Sequence, residues 1–445
     1  MVLFNGFIDF IKAVYYPIEK WGSVHVRPIF DFLHPHFDTI FYILLFIAAI
    51  ISAIYIFFSV LSIVRNYTYP EKKFIASKAP FVTIQIPTRN EIIALRCARK
   101  CLSFDYPKDR YEILIGDDSN KIDVSDEIDT FVSEHKEHIK VIRRAENIGF
   151  KPGNLNNLLK HSKGDIIVVF DSDFAPEKDF LKRIVTPFIY DKDVAAVQAK
   201  WSFFNGSQNI VTILASTIQQ IVHYIFLPIM GKSEAAFICG SAEAVRRSYL
   251  EEYGGWRAGS LTEDIDYSLR LHSQNKKIVY LSELRCKNEL PSTLKDLSKQ
   301  QMRWAYGVVS AYKNHAIAIL KSKISAKSKA ISFIMAFGYL TPIFILLLTS
   351  FGIFSFITAT PAPLDIPKFS FETVRNIILT AGLISASLVA LFKAKEVRFF
   401  PRMLGAAFSV GFVITYYVNK GIFKALFNRP MQWYLLKKSQ DYKAG

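Results

Sequence analysis

The stretch DIIVVFDSDF, Asp165 to Phe174, sets five apolar residues, Ile166 to Phe170, between one acid and two more, Asp171 and Asp173. A short run this rich in Ile and Val, preceded by Gly164, reads as a strand buried on both faces, so its end is where a parallel sheet opens. Ligands of open α/β sheets bind at the carboxyl ends of strands. Two carboxylates one residue apart repel unless a cation sits between them, and a hard divalent ion with oxygen ligands, Mg2+ or Mn2+, is suited to that role. The plainer alternative is a solvated acidic loop, and the triplet alone does not separate the two.

Outward from this strand, residues 81–307 have ordinary soluble composition and alternate in pattern. FVTIQIP is followed by a helix from Glu91, YEILIGDD by an acidic helical stretch near Val124 to His138, and KVIRR by NLNNLLKH and the DSD strand. Such alternation predicts an α/β domain with a parallel sheet and crossover helices. The loops IPTRNE, GDDSN and NIGFKPGNLN then converge on the same sheet edge as Asp171 and Asp173. Each has a structural reading: a turn with a helix cap, turn residues, and a loop bearing one solvated lysine. Their joint placement favours a site.

Downstream, SLTEDIDYSLRL puts Thr262, Glu263 and Asp264 at the start of an amphipathic helix. A Thr cap and two first-turn acids also suit a helix N-terminus on electrostatic grounds alone. KQQMRWAYG offers Gln300, Arg303 and Trp304 on a helix approaching a membrane, where Arg can grip a phosphate and Trp can stack on a sugar or base. Both residues also serve as interfacial anchors.

The 445 residues are 51% hydrophobic, with 38 Phe and 21 Tyr, and the apolar excess is concentrated in blocks. Thr39 to Ile63 carries no charge and is long enough to cross a bilayer with some tilt. It has no small-residue cleavage site after it, which reads as an anchor and not a signal peptide. Ala330 to Leu364 is a second uncharged block, followed by Asn376 to Phe392 and Met403 to Asn419. The chain is therefore expected to be integral to a membrane. The net charge of +16 comes from basic residues spread through membrane-flanking segments, which positive-inside bias explains and nucleic-acid binding need not. Cys97, Cys101, Cys239 and Cys286 lack metal-ligand spacing and fit reduced thiols facing the cytosol. No GxGxxG and no P-loop occurs.

The ordered set TRNE, DD, KPGNLN, DSD, FICGS, TED and QQMRW resembles the membrane-integrated branch of glycosyltransferase family 2, the GT-A-fold enzymes that include cellulose, chitin and hyaluronan synthases. The run NELPSTLKDLSKQQMRW is similar to cellulose-synthase-like mannan and glucan synthases in particular. The resemblance implies a GT-A (Rossmann-like) cytosolic catalytic domain inserted between N-terminal and C-terminal transmembrane helices. The implied function is an inverting, processive transfer of a hexose from a UDP- or GDP-sugar to a growing β-linked glycan. By the same resemblance Thr88, Glu91 and Asp118 hold the nucleoside, Lys151 lies near the diphosphate, and Asp171 and Asp173 carry Mg2+ or Mn2+, Asp173 being the more direct ligand. Asp264 is the general base. Gln300, Arg303 and Trp304 position donor and acceptor, while Phe237, Cys239, Gly240 and Ser241 line the acceptor's path. Pro152, where many members have alanine, stiffens the loop carrying Lys151.

The expected organisation is an interfacial segment over residues 1–38, a span over 39–64, a linker over 65–80, the catalytic domain over 81–307 and an amphipathic interfacial region over 308–329. A region of about three hydrophobic segments over 330–424 and a basic tail over 425–445 follow. Read as one span, Ala330 to Leu364 would put the tail outside, so a break near Gly338 to Pro342, or an interfacial first half, is expected. Two rival functions stay open. One is a distributive enzyme adding a single sugar to a membrane lipid such as a polyprenyl phosphate, and the other a transporter or receptor with a nucleotide-binding domain. The apolar blocks contain no ionisable residue apart from tyrosines, which weighs against transport.

Overall fold

The structure is a computed structural model and describes residues 24–360, 363, 365–432 and 434. Within it the chain divides into two compact units, residues 57–340 with 384–445, and residues 1–56 with 341–383.

The larger unit is built on a seven-stranded sheet: β1 (Val82–Thr88), β2 (Tyr111–Asp117), β3 (Ile139–Arg143), β4 (Ile166–Val169), β5 (Val194–Phe203), β6 (Glu243–Arg246) and β7 (Lys277–Asn288). The strand order is β3-β2-β1-β4-β6-β5-β7. Strands β1 to β4 pair in parallel, as the alternating pattern predicts. The expectation of a wholly parallel sheet fails at β6, which lies antiparallel to both β4 and β5, so the sheet is mixed. Four residues of EAVR give no alternation by which sequence alone could orient the strand.

Every residue of β1, β2 and β4 is buried; β4, Ile-Ile-Val-Val, is the continuous apolar run, while β1 and β2 also bury Thr83, Gln85, Glu112 and Asp117. Ile84, Ile86, Ile113 and Val168 belong to one core layer, and Ile167, Val169, Trp256 and Tyr267 to the layer on the other face. Each such side chain contributes about 1.5–3 kcal/mol through burial. The helix expected from Glu91 begins later, as α2 (Ala94–Leu102), and the acidic stretch forms α3 (Ile122–Glu134). The KPGN segment is not a loop. It forms the first turn of α4 (Phe150–His161), where a proline is tolerated because its missing N–H would have had no partner. After α5 (Phe180–Tyr190) and β5, an apolar helical run comprises α6 (Ile210–Gln220), a π-helical turn over Ile221–Phe226 and α7 (Leu227–Lys232). This run is 78% buried inside the protein. The remainder of this part is α8 (Arg247–Glu252), α9 (Glu263–Ser273) and α10 (Leu294–Lys321).

Helix α1 spans Arg27–Val64, so the apolar block from Thr39 is the later part of a helix that begins well inside the segment expected to be interfacial; residues 1–23 of that segment lie outside the described residues. Helix α11 (Ala326–Thr358) runs without interruption through Pro342, against the expected break, and its portion long and apolar enough to cross a membrane is Gly338–Thr358. Two bent pairs follow: α12 (Ile366–Thr380) with α13 (Gly382–Lys393) at 54°, and residues 397–409, which contain α14 (Phe400–Ser409), with α15 (Gly411–Leu426) at 59°. Among the described residues three helices are long and apolar enough to cross a membrane, or up to five if each bent pair is one span. The basic tail beyond Tyr434 lies outside the described residues.

In the smaller unit, Arg27 Nη1 donates to Ala359 O at 2.9 Å and Ser355 Oγ to Asp38 Oδ1 at 3.0 Å. Gly382 N donates to Ser52 Oγ at 2.7 Å. These bonds fasten the early part of α1 to the later helices at both ends.

Candidate active site

The carboxyl ends of β1, β2 and β4 bring Thr88, Asp118, Asp171 and Asp173 to one cleft, together with Glu91, Lys151, Cys239, Gly240, Asp264, Gln300, Arg303 and Trp304. Thr88 Oγ1 donates to Glu91 O at 3.1 Å, closing the turn that follows β1. Glu91 in turn accepts from Ser172 Oγ, linking that turn to the DSD loop. Asp118 is held bidentately by Arg144, Nε at 2.8 Å and Nη2 at 2.6 Å. The same guanidinium donates to Asn147 Oδ1, Ile148 O and Phe150 O, so it ties the loop before α4 to the end of β2. Arg144 carries no motif of its own, and only the fold brings it to Asp118.

Lys151 is the hub of the acidic side. Its Nζ lies 2.8 Å from Asp171 Oδ1 and 3.1 Å from Glu263 Oε1, and donates to Gly240 O at 2.6 Å. Burial opposes its charge, but Asp171 and then Glu263 raise its affinity for the proton well above that of an ordinary lysine. Lys151 is thus a fixed cation between the DSD and TED motifs. Asp171 N donates to Ser241 Oγ at 2.8 Å, and the Asp171 side chain keeps about a third of its surface open. Asp173 is nearly buried. Its Oδ2 accepts from Glu289 N at 3.0 Å and its carbonyl from Arg96 at 3.0 Å, which fixes the loop.

The expected lining of the acceptor's path is corrected in part. Cys239 and Gly240 reach the cleft, whereas Phe237 packs in the core and Ser241 is wholly buried beneath Asp171. The buried pair of bonds from Gln198 Nε2 and Trp201 Nε1 to Ser241 O, both 3.0 Å, holds this turn. Gly240 sits at φ +86°, a left-handed value that glycine adopts without strain, and a Cβ there would come within 3.3 Å of Asp264 Oδ2. Gly240 N donates to Glu243 Oε2 at 2.7 Å.

Asp264 opens α9 behind Glu263. Burial, and then the Glu263 charge, push its carboxyl up to about 7, while Lys151 and backbone N–H groups pull the other way. Thr262 stands at the N-cap but its side chain makes no capping bond, and its Oγ1 is buried with no hydrogen-bond partner among the described residues. The helix-cap reading of Thr262 therefore fails. Asp266, one turn into α9, accepts from Arg270 Nε at 2.9 Å and lies 2.8 Å from His315 Nε2, which joins α9 to α10.

On α10, Gln300, Arg303 and Trp304 share one face by their i, i+3, i+4 spacing, and all three line the cleft. Arg303 is half-buried, and desolvation lowers it from the usual arginine range, with Glu263, Asp171 and Asp264 acting against the shift. Sequence reasoning missed Trp201 and Tyr434, which also line the cleft. Tyr434 comes from the far end of the chain, its ring 4.6 Å from Lys299 Nζ. An aromatic so close to the membrane-flanking basic segments gives no local signal.

Seven carboxylates line this cleft against three cationic side chains, Arg89, Lys151 and Arg303. Its floor is thus a set of hard oxygen donors. Among the described residues no three His, Cys, Asp or Glu side chains are grouped to hold a metal by themselves.

Residues 79–307 match the family described as Glycosyltransferase like family 2, and residues 228–399 match Cellulose synthase. The chain belongs to glycosyltransferase-like family 2. Its relatives include a rice protein, Oryza sativa subsp. japonica, named probable glucomannan 4-beta-mannosyltransferase 11, 33% identical over 55% of this chain and 44% of that protein. Glucomannan 4-beta-mannosyltransferase 9 of Arabidopsis thaliana is 33% identical over 59% of this chain and 50% of its own length. The chain therefore spans about half the length of the curated relatives it matches. In three dimensions it is similar to the mannosyltransferase of Pyrobaculum calidifontis solved with GDP-Man and Mn2+, with a TM-score of 0.64 at 17% identity over 88% of this chain and 100% of that one. The catalytic fold of this family member is GT-A.

Proposed function

We propose that this protein is a membrane-integrated, inverting glycosyltransferase that moves a hexose from a UDP- or GDP-sugar to a growing β-linked polysaccharide, with its catalytic domain on the cytosolic side. The observation that carries the reading is the meeting of DSD, TED and the Gln300-Arg303-Trp304 face in one cleft around a carboxyl, Asp264, held near 7. A general base works best with a pKa near the operating pH. Asp264 takes the proton of the acceptor hydroxyl as that oxygen attacks the anomeric carbon from the side opposite the leaving group. Inversion requires no covalent nucleophile. Arg303 and Lys151 stabilise the departing diphosphate, while Thr88, Glu91 and Asp118 hold the nucleoside. Trp304, Gln300, Cys239 and Gly240 hold the acceptor end.

A divalent cation fits this donor set. A dianionic diphosphate would be repelled by the excess of carboxylates, and Mg2+ or Mn2+ characteristically uses one or two protein carboxylates and completes its shell with substrate phosphate and water. Asp171 and Asp173 would hold it, and it supplies charge neutralisation to the leaving group. The Pyrobaculum protein of similar fold, solved with Mn2+ and GDP-Man, supports a divalent cation and a nucleotide sugar by analogy, and the plant relatives' names support transfer of a mannosyl unit to a glycan.

The three to five helices long and apolar enough to cross a membrane among the described residues also suit a single addition to a membrane lipid. Incubating the purified protein with a panel of UDP- and GDP-sugars and measuring nucleotide release tests the transferase reading, and silence across the panel would overturn it. Sizing the product then separates polymer from lipid-linked monosaccharide.

A further inference from the structure

Away from the cleft residues, Lys200 on β5 is 4% exposed, and a lysine so buried is ordinarily paired. Among the described residues it has neither a hydrogen-bond acceptor nor a carboxylate within ion-pair distance. Its Nζ instead lies over the Tyr224 ring, 4.5 Å from the centroid. Of the charges around it, Arg285 and Lys393 have the wrong sign to satisfy it, while Glu283 attracts it without coming within ion-pair distance. Arg285, exposed, is its register partner on β7. Lys393, the last residue of α13, adds a third cation. Burial first, then Arg285, push the Lys200 ammonium down to about 8, with Lys393 in the same direction and Glu283 opposing. Among the described residues neither Glu283 nor Glu396 forms an ion pair with any of the three; Glu396 accepts from Gln220 Nε2 at 2.7 Å.

The place matters as much as the charge. Lys393 Nζ donates to Ser62 O at 2.7 Å, joining the end of α13 to the end of α1. Both helices carry exposed apolar side chains in their last turns, Val60 and Ile63 on α1 and Leu388 and Phe392 on α13. Cations at the ends of two apolar helices, with bare apolar surface beside them, match a phosphate at the interface and acyl chains below it.

We propose that Lys200, Arg285 and Lys393 form a seat for the phosphate of an anionic membrane lipid. The anion supplies the counter-charge that Lys200 lacks, Arg285 reaches it from the exposed side, and Lys393 sets it at the level where the helices end. No residue of the seat lines the catalytic cleft.

The test uses the full chain in neutral detergent and needs no sugar donor, so it stands apart from the transfer reading. Binding of dioctanoyl phosphatidic acid, dioctanoyl phosphatidylcholine and inorganic phosphate is compared by native mass spectrometry. The expected result is at least tenfold tighter binding of phosphatidic acid than of phosphatidylcholine, with Arg285→Gln and Lys200→Met each lowering that preference at least fivefold. Equal binding of the two lipids overturns the proposal. So does an undiminished preference in Arg285→Gln, an exposed position at which the fold is not at stake, even if Lys200→Met fails to fold. Inorganic phosphate that displaces phosphatidic acid at equal concentration overturns the lipid source.

Discussion

Asp264 is asked both to lose its charge readily and to be charged when the acceptor arrives. Its carboxyl is held up to about 7 by burial and by Glu263, so it is ionised above that pH and protonated below. A base must be ionised; transfer measured as kcat/KM therefore falls as pH drops through about 7, by about tenfold per unit. Stability runs the other way. A carboxyl whose folded pKa is raised from 3.8 favours the folded state fully below that value, and the contribution is lost as pH rises through about 7. Asp264→Asn keeps the shape but accepts no proton. Donor affinity should change little while single-turnover transfer falls by a factor on the order of 10² to 10⁴. A first-turn acid of merely structural value would instead cost about 0.3–1 kcal/mol of stability and leave the rate per folded molecule intact. Near wild-type transfer in the mutant would remove the base from the scheme. At Asp171 and Asp173, EDTA is expected to abolish turnover and Mn2+ or Mg2+ to restore it, with Asp173→Asn resisting rescue by either. Activity undiminished in EDTA would refute that pair's role. The acids, Lys151 and the α10 face were legible because each stands in a motif at a strand end or on one helix face. Arg144 and Tyr434 were not, because their partners lie far off in sequence or on another element.

At the scale of elements, the relation between α9 and α10 decides whether base and phosphate-binding arginine face one another. A Cβ added at Gly307 on α10 would stand 2.4 Å from Thr262 Cγ2 and Oγ1, so the helix approaches TED only because that position has no side chain. Gly307→Ala should displace α10 from Thr262, costing about 1–3 kcal/mol of stability. It should also lower kcat more than donor affinity, since the Asp264 to Arg303 register is what shifts. An alanine variant with unchanged kcat in a folded preparation would show that the contact is not needed. Strand β4 was readable as a buried apolar run and β1 to β3 from the alternation of strand and helix patterns, and α4 was readable as a helix but not in its start, because proline in a first helical turn looks like a loop. The orientation of β6 was not readable at all, since a four-residue strand with three buried residues leaves pairing to the neighbours.

For the whole molecule, the helices long and apolar enough to cross a membrane were recognisable in the sequence, while the number of crossings was not, because a bent pair and a single span have the same composition. By positive-inside bias the basic residues after Tyr434, KKSQDYK among them, are expected on the same side as the catalytic domain. A Ser439→Cys variant in sealed vesicles should resist a membrane-impermeant thiol reagent applied at the outer face, and labelling there would reverse that topology.

The antiparallel insertion of β6 also sets an order of events during synthesis. Strands β1 to β4 are complete once Val169 has emerged, and they can assemble as a four-stranded parallel half. The free side of β4 must then wait for Glu243–Arg246, roughly 80 residues later in the chain. At ribosomal speeds of about 5–20 residues per second, this leaves an apolar strand edge bare for about 4 to 16 s. By then α1 has already left the ribosome, so the half-built sheet waits tethered to its anchor, and a nascent chain stalled before Glu243 would present that edge to any chaperone within reach.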